Sequence, residues 1–332
     1  MDRFPDGLNI RASSAVDPSG PMQFTRIKYT TNERARMQVG SRRCILNPVS
    51  GTGDHAEYVT RLLRGRGFAV DHTEGAGDAR RLAREAGEAE VSELAVCGGD
   101  GTINEVLRGL DAADHLTDVT LSVIPTGTAN ILGRTVGIEG IEDAIEIADT
   151  GEIATVDVGM AGDEPFVVSC IAGFPAEASV ATSSELKGRF GTLAFLLTGV
   201  QQAREFDGLD VRLETEAETW DGEAICLLVG NARRFVEEGG QADMADGLFD
   251  VAVVENMPPG DLVTEAVRHR VLGQGTEGVT HIQAGRITVT GHDGPITFSR
   301  DGEVSEHERV TMAIRPQALD LRVGPDYDPS PE

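Results

Sequence analysis

Short apolar runs alternate with amphipathic segments through the first half of the chain. The runs CILN, FAVDH, ELAVCG and LSVIP begin at residues 44, 68, 93 and 121. Between the first two lies a helical pattern with Val59, Leu62 and Leu63 on one face, and Gly65 and Gly67 are suited to ending that helix. A strand, a helix and a second strand form a βαβ unit, and its repetition predicts a doubly wound parallel sheet with helices on both faces.

The pattern changes after about residue 155 to Val- and Ile-rich segments of alternating polarity. TVDVGMAG, PFVVSCIAG, GLDVRLETE, EAICLLVGN, GLFDVAVVE and RITVTG are typical of strands, while helical patterns remain at residues 175–204 and 260–271. This pattern predicts a second, mainly antiparallel β-sandwich domain. The closing segments ITFSR, VTMAIRP and ALDLRV are compatible with either domain.

The length of 332 residues also favours two domains rather than one. We predict a flexible N-terminal tail over residues 1–40, an α/β domain over 41–155 and a β-rich domain over 156–308, with strands at about 309–325 that can return to the first domain. Met37 stands just before the first strand, so an over-extended start covering residues 1–36 is an alternative to a native tail.

The charge balance is strongly acidic, with a formal net charge of −26 and a sequence pI near 4.6. Such a surface disfavours nucleic acid and, in ordinary salt, opposes compaction and repels anionic membranes. At about 1 M salt the Debye length falls to about 3 Å and both penalties are screened. We therefore predict a halophilic origin, with an ordinary acidic protein as the alternative.

Cysteine usage and hydropathy indicate a cytoplasmic protein. Cys44, Cys97, Cys170 and Cys226 form no CxxC pair and are predicted to be free thiols in a reducing compartment. The histidines show no zinc-binding pattern. The longest apolar segment, residues 190–200, is about half a membrane span, and the N-terminus lacks a signal-peptide layout. The sequence therefore predicts no transmembrane segment.

CGGDGTINEVLRGL, at residues 97–110, carries the clearest chemical signal because it follows a buried strand and opens a helix. Adjacent glycines allow backbone N–H groups to approach an anion, and a helix N-terminus adds about half a positive charge. We predict a phosphate site here, although Thr102 and Glu105 also fit a helix capping box. Capping leaves Asp100 unexplained, since a carboxylate beside a phosphate is favourable only if it binds Mg²⁺ or accepts from a hydroxyl.

GGDGTINEV resembles the nucleotide loop of the diacylglycerol kinase catalytic family, which includes related bacterial lipid kinases and sphingosine kinases. NPVSG at residues 47–51, HTEGAGDARRLA at 72–83 and IPTGTANILGR at 124–134 resemble further nucleotide segments of that family, in the same order. VDVG, KGRFGTLAF, VGNARRF, ADMADGLFDV and DGE extend the resemblance over about residues 42–325. Ile131 and Gln241 depart from it, because relatives commonly carry Asp and Pro there.

The resemblance implies a nucleotide cleft between the two domains, with ATP as phosphate donor and Mg²⁺ as metal. The residues it assigns to ATP are Asn47, Ser50, Gly51, Thr73, Gly98, Gly99, Asp100, Gly101, Thr102, Ile103, Asn104, Gly127 and Thr128. It also implies a structural Mg²⁺ site made by the Asp246 side chain and by backbone oxygens of Asp243 and Leu248. Taken alone, the Asp-Gly pair at residue 246 is better explained as a turn.

The motif Asp301-Gly302-Glu303 follows the strand ITFSR and resembles the family's DGE motif, whose glutamate is taken as the catalytic base. An acceptor hydroxyl needs a carboxylate within hydrogen-bond reach, and in phosphoryl transfer alignment and charge neutralisation matter more than base strength. The resemblance therefore implies Glu303 as base, with Asp301 and Asp100 beside it in the catalytic site. Taken alone, DGE is typical of a β-turn.

The leading hypothesis is an ATP-dependent lipid kinase that phosphorylates a hydroxyl of a diacylglycerol-like lipid, in the cytoplasm and transiently at the membrane surface. NAD kinase is the close alternative because that family shares GGDGT, and a non-catalytic nucleotide-binding regulatory protein is the alternative from another class. Residues 190–200 are interpreted as core rather than as an acyl-chain cleft, and GAGD from Gly75 lacks the third glycine of a dinucleotide fingerprint. The lipid and the oligomeric state do not follow from the residues, and a homodimer is left open.

Overall fold

A computed structural model of the chain describes residues 42–173, 208–234, 240–256 and 278–331. The predicted tail, the predicted helices at residues 175–204 and 260–271, and the apolar segment 190–200 lie outside these residues.

Strands and helices alternate in the first half of the described chain. The elements are β1 (Arg42–Leu46), α1 (Ala56–Gly65), β2 (Ala69–His72), α2 (Asp78–Glu88), β3 (Glu93–Gly98), α3 (Asp100–Ala112), β4 (Thr120–Pro125), α4 (Ile131–Thr135) and α5 (Ile141–Thr150). As the sequence predicts, α1 buries Val59 and Leu63, and Gly67 takes the left-handed conformation, with φ +84°, that turns the chain into β2. Each helix covers a face of the sheet because its apolar stripe needs that surface.

The four N-terminal strands are parallel and lie in the order β2, β1, β3, β4. The chain therefore leaves β1 towards one side to reach β2 and then returns past it to form β3. Their carboxyl ends lie at one edge of the sheet, and the reversal of direction between β1 and β3 creates the crevice in which open α/β sheets bind ligands.

The rest of the described chain is almost entirely β-structure. The strands are β5 (Glu152–Ala161), β6 (Glu164–Phe166), β7 (Ser169–Gly173), β8 (Leu209–Thr215), β9 (Thr219–Gly230), β10 (Arg233–Arg234), β11 (Gly240–Gln241), β12 (Phe249–Glu255), β13 (Val279–Ala284), β14 (Arg286–Gly291), β15 (Ile296–Arg300), β16 (Glu303–His307) and β17 (Arg309–Val323). The pairings within this half are antiparallel. The segment PFVVSCIAG, predicted as one strand, forms two, because the chain leaves the ladder between β6 and β7.

The long strand β17 joins the two halves of the sheet. It pairs in parallel with β4, through Asp320 and Leu321, and antiparallel with β5 and β14, with an irregularity between Arg315 and Leu319. The main path of the resulting mixed sheet runs β16-β15-β7-β9-β8-β14-β17-β4-β3-β1-β2 among the described residues. Of the closing segments that the sequence pattern assigned to neither domain, VTMAIRP and ALDLRV form β17 and are hydrogen-bonded to both halves, whereas ITFSR forms β15 and pairs with β7 and β16 of the second half.

Two hydrophobic clusters fill the described part of the chain. One packs the helices against the parallel strands, and the other lies among the antiparallel strands, where Phe166 and Phe249 stack with ring centroids 5.6 Å apart. The predicted fold class, parallel N-terminal strands followed by an antiparallel β-rich half, is confirmed. The residue boundaries of the two domains stay a prediction.

Candidate functional site

The loops that follow β1, β2, β3 and β4 meet at the carboxyl edge of the parallel sheet. The loops after β1, β2 and β4 are tied to a neighbouring strand as they leave the ladder: the Asn47 N–H donates to the Cys97 carbonyl (2.8 Å), the Thr73 N–H to the Leu46 carbonyl (2.9 Å), and the Thr126 N–H to the Gly98 carbonyl. The structure therefore brings together the four segments that the sequence assigned to a nucleotide.

The loop after β1 is held against its neighbours by side chains. The Asn47 amide donates to Thr102 Oγ1 (3.1 Å) across the crevice between β1 and β3, and the Ser50 hydroxyl lies 2.6 Å from Thr126 Oγ1. The buried ring of His55 places Nε2 3.2 Å from the Asn47 carbonyl oxygen. His55 was missed by the sequence analysis because it belongs to no glycine-rich stretch or charged pair, and Thr126 was not singled out although it lies within the segment IPTGTANILGR.

No side chain caps the N-terminus of α3. Its N-cap is Gly99, in an extended conformation and without a capping hydrogen bond. The predicted capping box is wrong: Thr102 accepts from Asn47, and the Glu105 carboxylate accepts from the Gly77 N–H (3.1 Å). The first N–H groups of a helix have no partner within the helix, so this end keeps its donors and its positive dipole for an external anion.

Glycines allow the loops to approach each other closely. A Cβ at Gly99 would lie 3.2 Å from the Gly127 Cα, and one at Gly98 would overlap the Thr102 side chain. The loop after β4 is shaped by Asn130, whose side-chain oxygen accepts from the Gly127 N–H (2.9 Å) and whose amide donates back to the Gly127 carbonyl (2.8 Å). Packing therefore accounts for some of these glycines whether or not a ligand binds.

The remaining loop residues differ in what they offer a ligand. Thr128 is exposed. At Gly101 a Cβ would meet one atom within 4 Å, the Glu303 Oε1, so the space in front of this glycine is largely open. Ile103 and Asn104 are buried, and the Asn104 amide donates to the Pro165 carbonyl (3.1 Å). Ligand contacts at all of these positions stay predictions.

Asp100 lies where the two halves of the chain meet. Its Oδ1 accepts from the Leu132 N–H (3.1 Å), so this carboxylate also holds the start of α4. A small pocket beside it is lined by Asp100, Ile103, Leu132, Val168 and Asp301. Residues from the first half and from the DGE turn therefore share one pocket.

The DGE turn is tightly anchored through Asp301, which has a φ of +45°. Its carboxylate accepts from the backbone N–H groups of Val167 (2.8 Å), Val168 (3.0 Å) and Ser169 (2.9 Å). Burial raises the pKa of Asp301 to about 6, and the negative charge of Asp100 adds to this, although the three donors act in the opposite direction. The geometry makes Asp301 an anchor for the turn.

Glu303 begins β16 immediately after this turn. Its Oε1 lies 3.9 Å from the position that a Cβ would occupy on Gly101, in the first turn of α3. The predicted base and the predicted phosphate loop, about 200 residues apart in sequence, are therefore adjacent in space.

The predicted metal site forms a turn before β12. Asp243 and Asp246 each accept a backbone N–H from two residues ahead, and buried Asp157 accepts from the Gly247 N–H (2.8 Å) and the Gln317 N–H (2.7 Å). Burial raises the pKa of Asp246, and the charges of Asp243, Asp250 and Asp157 raise it further.

The oxygen-only donors and the concentration of acidic side chains suit a hard cation such as Mg²⁺. Among the described residues, however, no group of three or more His, Cys, Asp or Glu side chains is arranged to hold a metal. The assignment to Asp243, Asp246 and Leu248 thus depends on backbone oxygens and stays a prediction.

Two whole-chain expectations can be compared with the described residues. All four cysteines are buried free thiols, and burial raises the pKa of Cys97, Cys170 and Cys226 to about 12. In the parts of the chain that the structure describes, no helix is long and apolar enough to cross a membrane.

Both halves of the chain match known protein families. Residues 42–161 match the family described as "Diacylglycerol kinase catalytic domain", and residues 168–323 match the "YegS C-terminal NAD kinase beta sandwich-like domain". A protein of Pseudomonas putida named "Probable lipid kinase YegS-like" is 32% identical over 269 residues, which cover 79% of this chain and 88% of that protein.

A protein of Bacillus subtilis named "Diacylglycerol kinase" is 29% identical over 275 residues, covering 79% of this chain and 89% of that protein. The crystal structure of a diacylglycerol kinase from Bacillus anthracis has the same fold, with a TM-score of 0.66 at 20% identity, and the match covers 86% of this chain and 97% of that chain.

Proposed function

Because this chain belongs to the diacylglycerol kinase family of lipid kinases, we propose that it transfers the γ-phosphoryl group of ATP to a hydroxyl group of a diacylglycerol-like lipid. The observation that carries the proposal is the position of Glu303, whose Oε1 lies 3.9 Å from the Cβ position at Gly101, beside an uncapped helix N-terminus. A base and a phosphate site at this separation suit transfer between a bound nucleotide and an acceptor hydroxyl.

Each residue then has a defined task. The N–H groups at the start of α3 and in the loops after β1 and β4 bind the phosphates, and the Glu303 carboxylate accepts the proton of the acceptor hydroxyl. The hydroxyl oxygen forms a bond to the γ-phosphorus while the bond to the bridging oxygen of ADP breaks. Mg²⁺, when bound with the nucleotide, would neutralise charge that develops on the phosphate oxygens, and Asp100, in the first turn of α3, is the carboxylate that would hold it.

The experiment is transfer from radiolabelled ATP to a panel of a diacylglycerol, a dialkylglycerol ether, a sphingoid base and NAD, at low and molar salt. Label in a lipid supports the proposal. Label in NAD would replace it by NAD kinase activity, and ATP binding without transfer to any acceptor would replace it by a non-catalytic role.

Glu303→Gln tests the assigned base, because it removes the proton acceptor while preserving the shape of the side chain. We expect transfer to fall by about a hundredfold or more, with ATP affinity within about twofold of wild type. Glu306→Gln is the matched control, since Glu306 is exposed on the same strand and alternation directs it to the opposite face. Retained turnover in Glu303→Gln, or equal losses in the two variants, would reject the assignment.

A further inference from the structure

Residues 164–169, which we call the bridge segment, contact both α3 and the DGE turn. On the α3 side, the Asn104 amide donates to the Pro165 carbonyl (3.1 Å), and Arg108 Nη2 donates to Glu164 Oε1 (3.0 Å). A second contact joins Arg108 Nε to Glu164 Oε2. The bridge segment is thus attached to the helix whose first turn is proposed to bind phosphate.

The other side of the bridge segment is attached to the β15–β16 hairpin. Its backbone donates three N–H groups to the Asp301 carboxylate, and the Asp301 N–H donates back to the Ser169 carbonyl (3.0 Å). Arg300 Nη1 lies 3.7 Å from Glu164 Oε2, and Arg300 Nη2 donates to Ser305 Oγ (3.5 Å). Glu164 therefore lies between a cation on α3 and a cation on the hairpin.

The hairpin needs this attachment because β16 is the last strand on the main path of the sheet. In the described residues β16 pairs with β15, and β15 in turn pairs with β7. Arg300 is the cross-strand partner of Glu303, so their side chains project from the same face of the hairpin. An outer hairpin held on one side can shift, and a shift of Arg300 carries Glu303 with it.

One arginine of this cluster is also nearly buried. Arg108 and Arg300 share one carboxylate, and the Arg300 side chain is only 9% exposed, so water cannot replace a lost partner. The Asn104 side chain, on the same face of α3 as Arg108, is likewise buried. Breaking either end should therefore disturb the geometry of the cluster as a unit.

We propose that the bridge segment sets the separation between the start of α3 and Glu303, and that Glu164 and Arg300 are positioning residues for the reaction. The expected effect on the reaction rate rests on the proposed function, whereas the claim that the bridge segment holds the hairpin rests on the contacts alone. A misplacement of the base by about 1 Å can lower a rate by about a hundredfold. The bridge therefore acts on turnover rather than on nucleotide binding.

The kinetic experiment uses the full chain with Arg300→Met, Arg300→Lys and Glu164→Gln. We expect kcat for lipid phosphorylation to fall by about tenfold to a hundredfold in Arg300→Met and Glu164→Gln, with KM for ATP within about threefold and partial recovery in Arg300→Lys. Arg212→Met and Glu88→Gln are matched controls, because both residues form exposed ion pairs elsewhere. A change confined to KM, or wild-type kcat in both variants, would overturn the proposal.

A double-mutant cycle separates positioning from general stability. If Arg300 acts through Glu303, then Arg300→Met should change the residual rate of Glu303→Gln by no more than about twofold. If Arg300→Met lowers the rate by the same factor in wild type and in Glu303→Gln, the positioning role is overturned, because a general structural effect lowers the rate of both proteins equally.

Hydrogen–deuterium exchange supplies a readout that needs no activity. Peptides covering residues 301–307 should exchange faster in Arg300→Met than in wild type, while peptides from β12 should be unchanged. Equal exchange at 301–307 would overturn the proposal. Should wild type phosphorylate no lipid, the proposed function fails, but the exchange result still decides whether the bridge holds the hairpin.

Discussion

Two glycines of the loop after β1 allow a sharp test of how that loop is held. Gly51 and Gly53 are both exposed and both left-handed, with φ of +58° and +75°. A Cβ at Gly51 would lie closer than 3.0 Å to the Thr126 carbonyl oxygen, which cannot move without disturbing the loop after β4. At Gly53 the nearest atom would be the Pro48 carbonyl oxygen at 3.5 Å, which is ordinary contact.

The expected energies follow from this difference. Alanine in a left-handed conformation costs about 1 kcal/mol at either position. The overlap at Gly51 adds about 1–3 kcal/mol, which the protein relieves by moving the loop away from Thr126. If that displacement opposes nucleotide binding, ATP affinity should fall by roughly 5- to 150-fold in Gly51→Ala, and by no more than about threefold in Gly53→Ala.

Isothermal titration of ATP into both variants measures this, and urea unfolding without nucleotide measures the accompanying loss of stability. Gly53→Ala is the control because it carries the same conformational strain without the overlap. Equal ATP affinities in the two variants would refute the argument that contact between the loops after β1 and β4 shapes the site.

Three further predictions concern charge. Asp246→Asn keeps an oxygen that accepts the Leu248 N–H but removes a carboxyl group whose pKa is raised by burial and by the charge of Asp243. The unfolding temperature of this variant without Mg²⁺ should therefore be unchanged or higher, and the rise in unfolding temperature on adding Mg²⁺ should be lost. A rise equal to that of wild type would contradict the metal assignment. The pKa of Asp301 is raised from 3.8 to about 6, so its stabilisation is present at low pH and lost as pH rises through about 6. The free energy of unfolding in urea should therefore rise by about 1 kcal/mol in wild type relative to Asp301→Asn when the pH is lowered from about 7 to about 5. If the difference in unfolding free energy between the two proteins stayed constant over this range, the assigned pKa would be contradicted. With a net charge of −26, the unfolding temperature should rise between about 0.1 M and about 2 M KCl, and no rise would remove the basis for a halophilic origin.

Local periodicity was enough to predict the parallel strands, because apolar runs bounded by glycine and amphipathic segments specify βαβ units without distant information. The DGE motif came from resemblance, since it is an ordinary turn when taken alone, whereas the phosphate site at GGDGT was predicted from its adjacent glycines and the helix that follows. The capping box at Thr102 was wrong because the helix begins at Asp100 with Gly99 as N-cap, which leaves Thr102 inside the first turn, where it accepts from Asn47. Sequence spacing alone does not fix the residue at which a helix begins.

Glu164, Arg108 and Arg300 were not predicted at all. Each is a charged residue in a sequence with 55 acidic and 29 basic ones, and by itself would be read as part of a solvated surface. Their pairing depends on Glu164 of β6 contacting both Arg108 of α3 and Arg300 of β15, which is a property of the tertiary fold. The residues that position a site are harder to find from sequence than those that contact a ligand, because nothing local marks them.

Because β17 pairs with strands of both halves, neither half can complete its sheet until β17 has been synthesised. While β17 is still inside the ribosome, β4 lacks its outer neighbour and β5 and β14 lack a common partner, so a nascent chain exposes unpaired strand edges in both halves. Closure then joins strands that are far apart in sequence, which slows folding. The pairing of β17 is thus the step that completes both halves of the sheet, and chaperones would protect the nascent chain most just before that step.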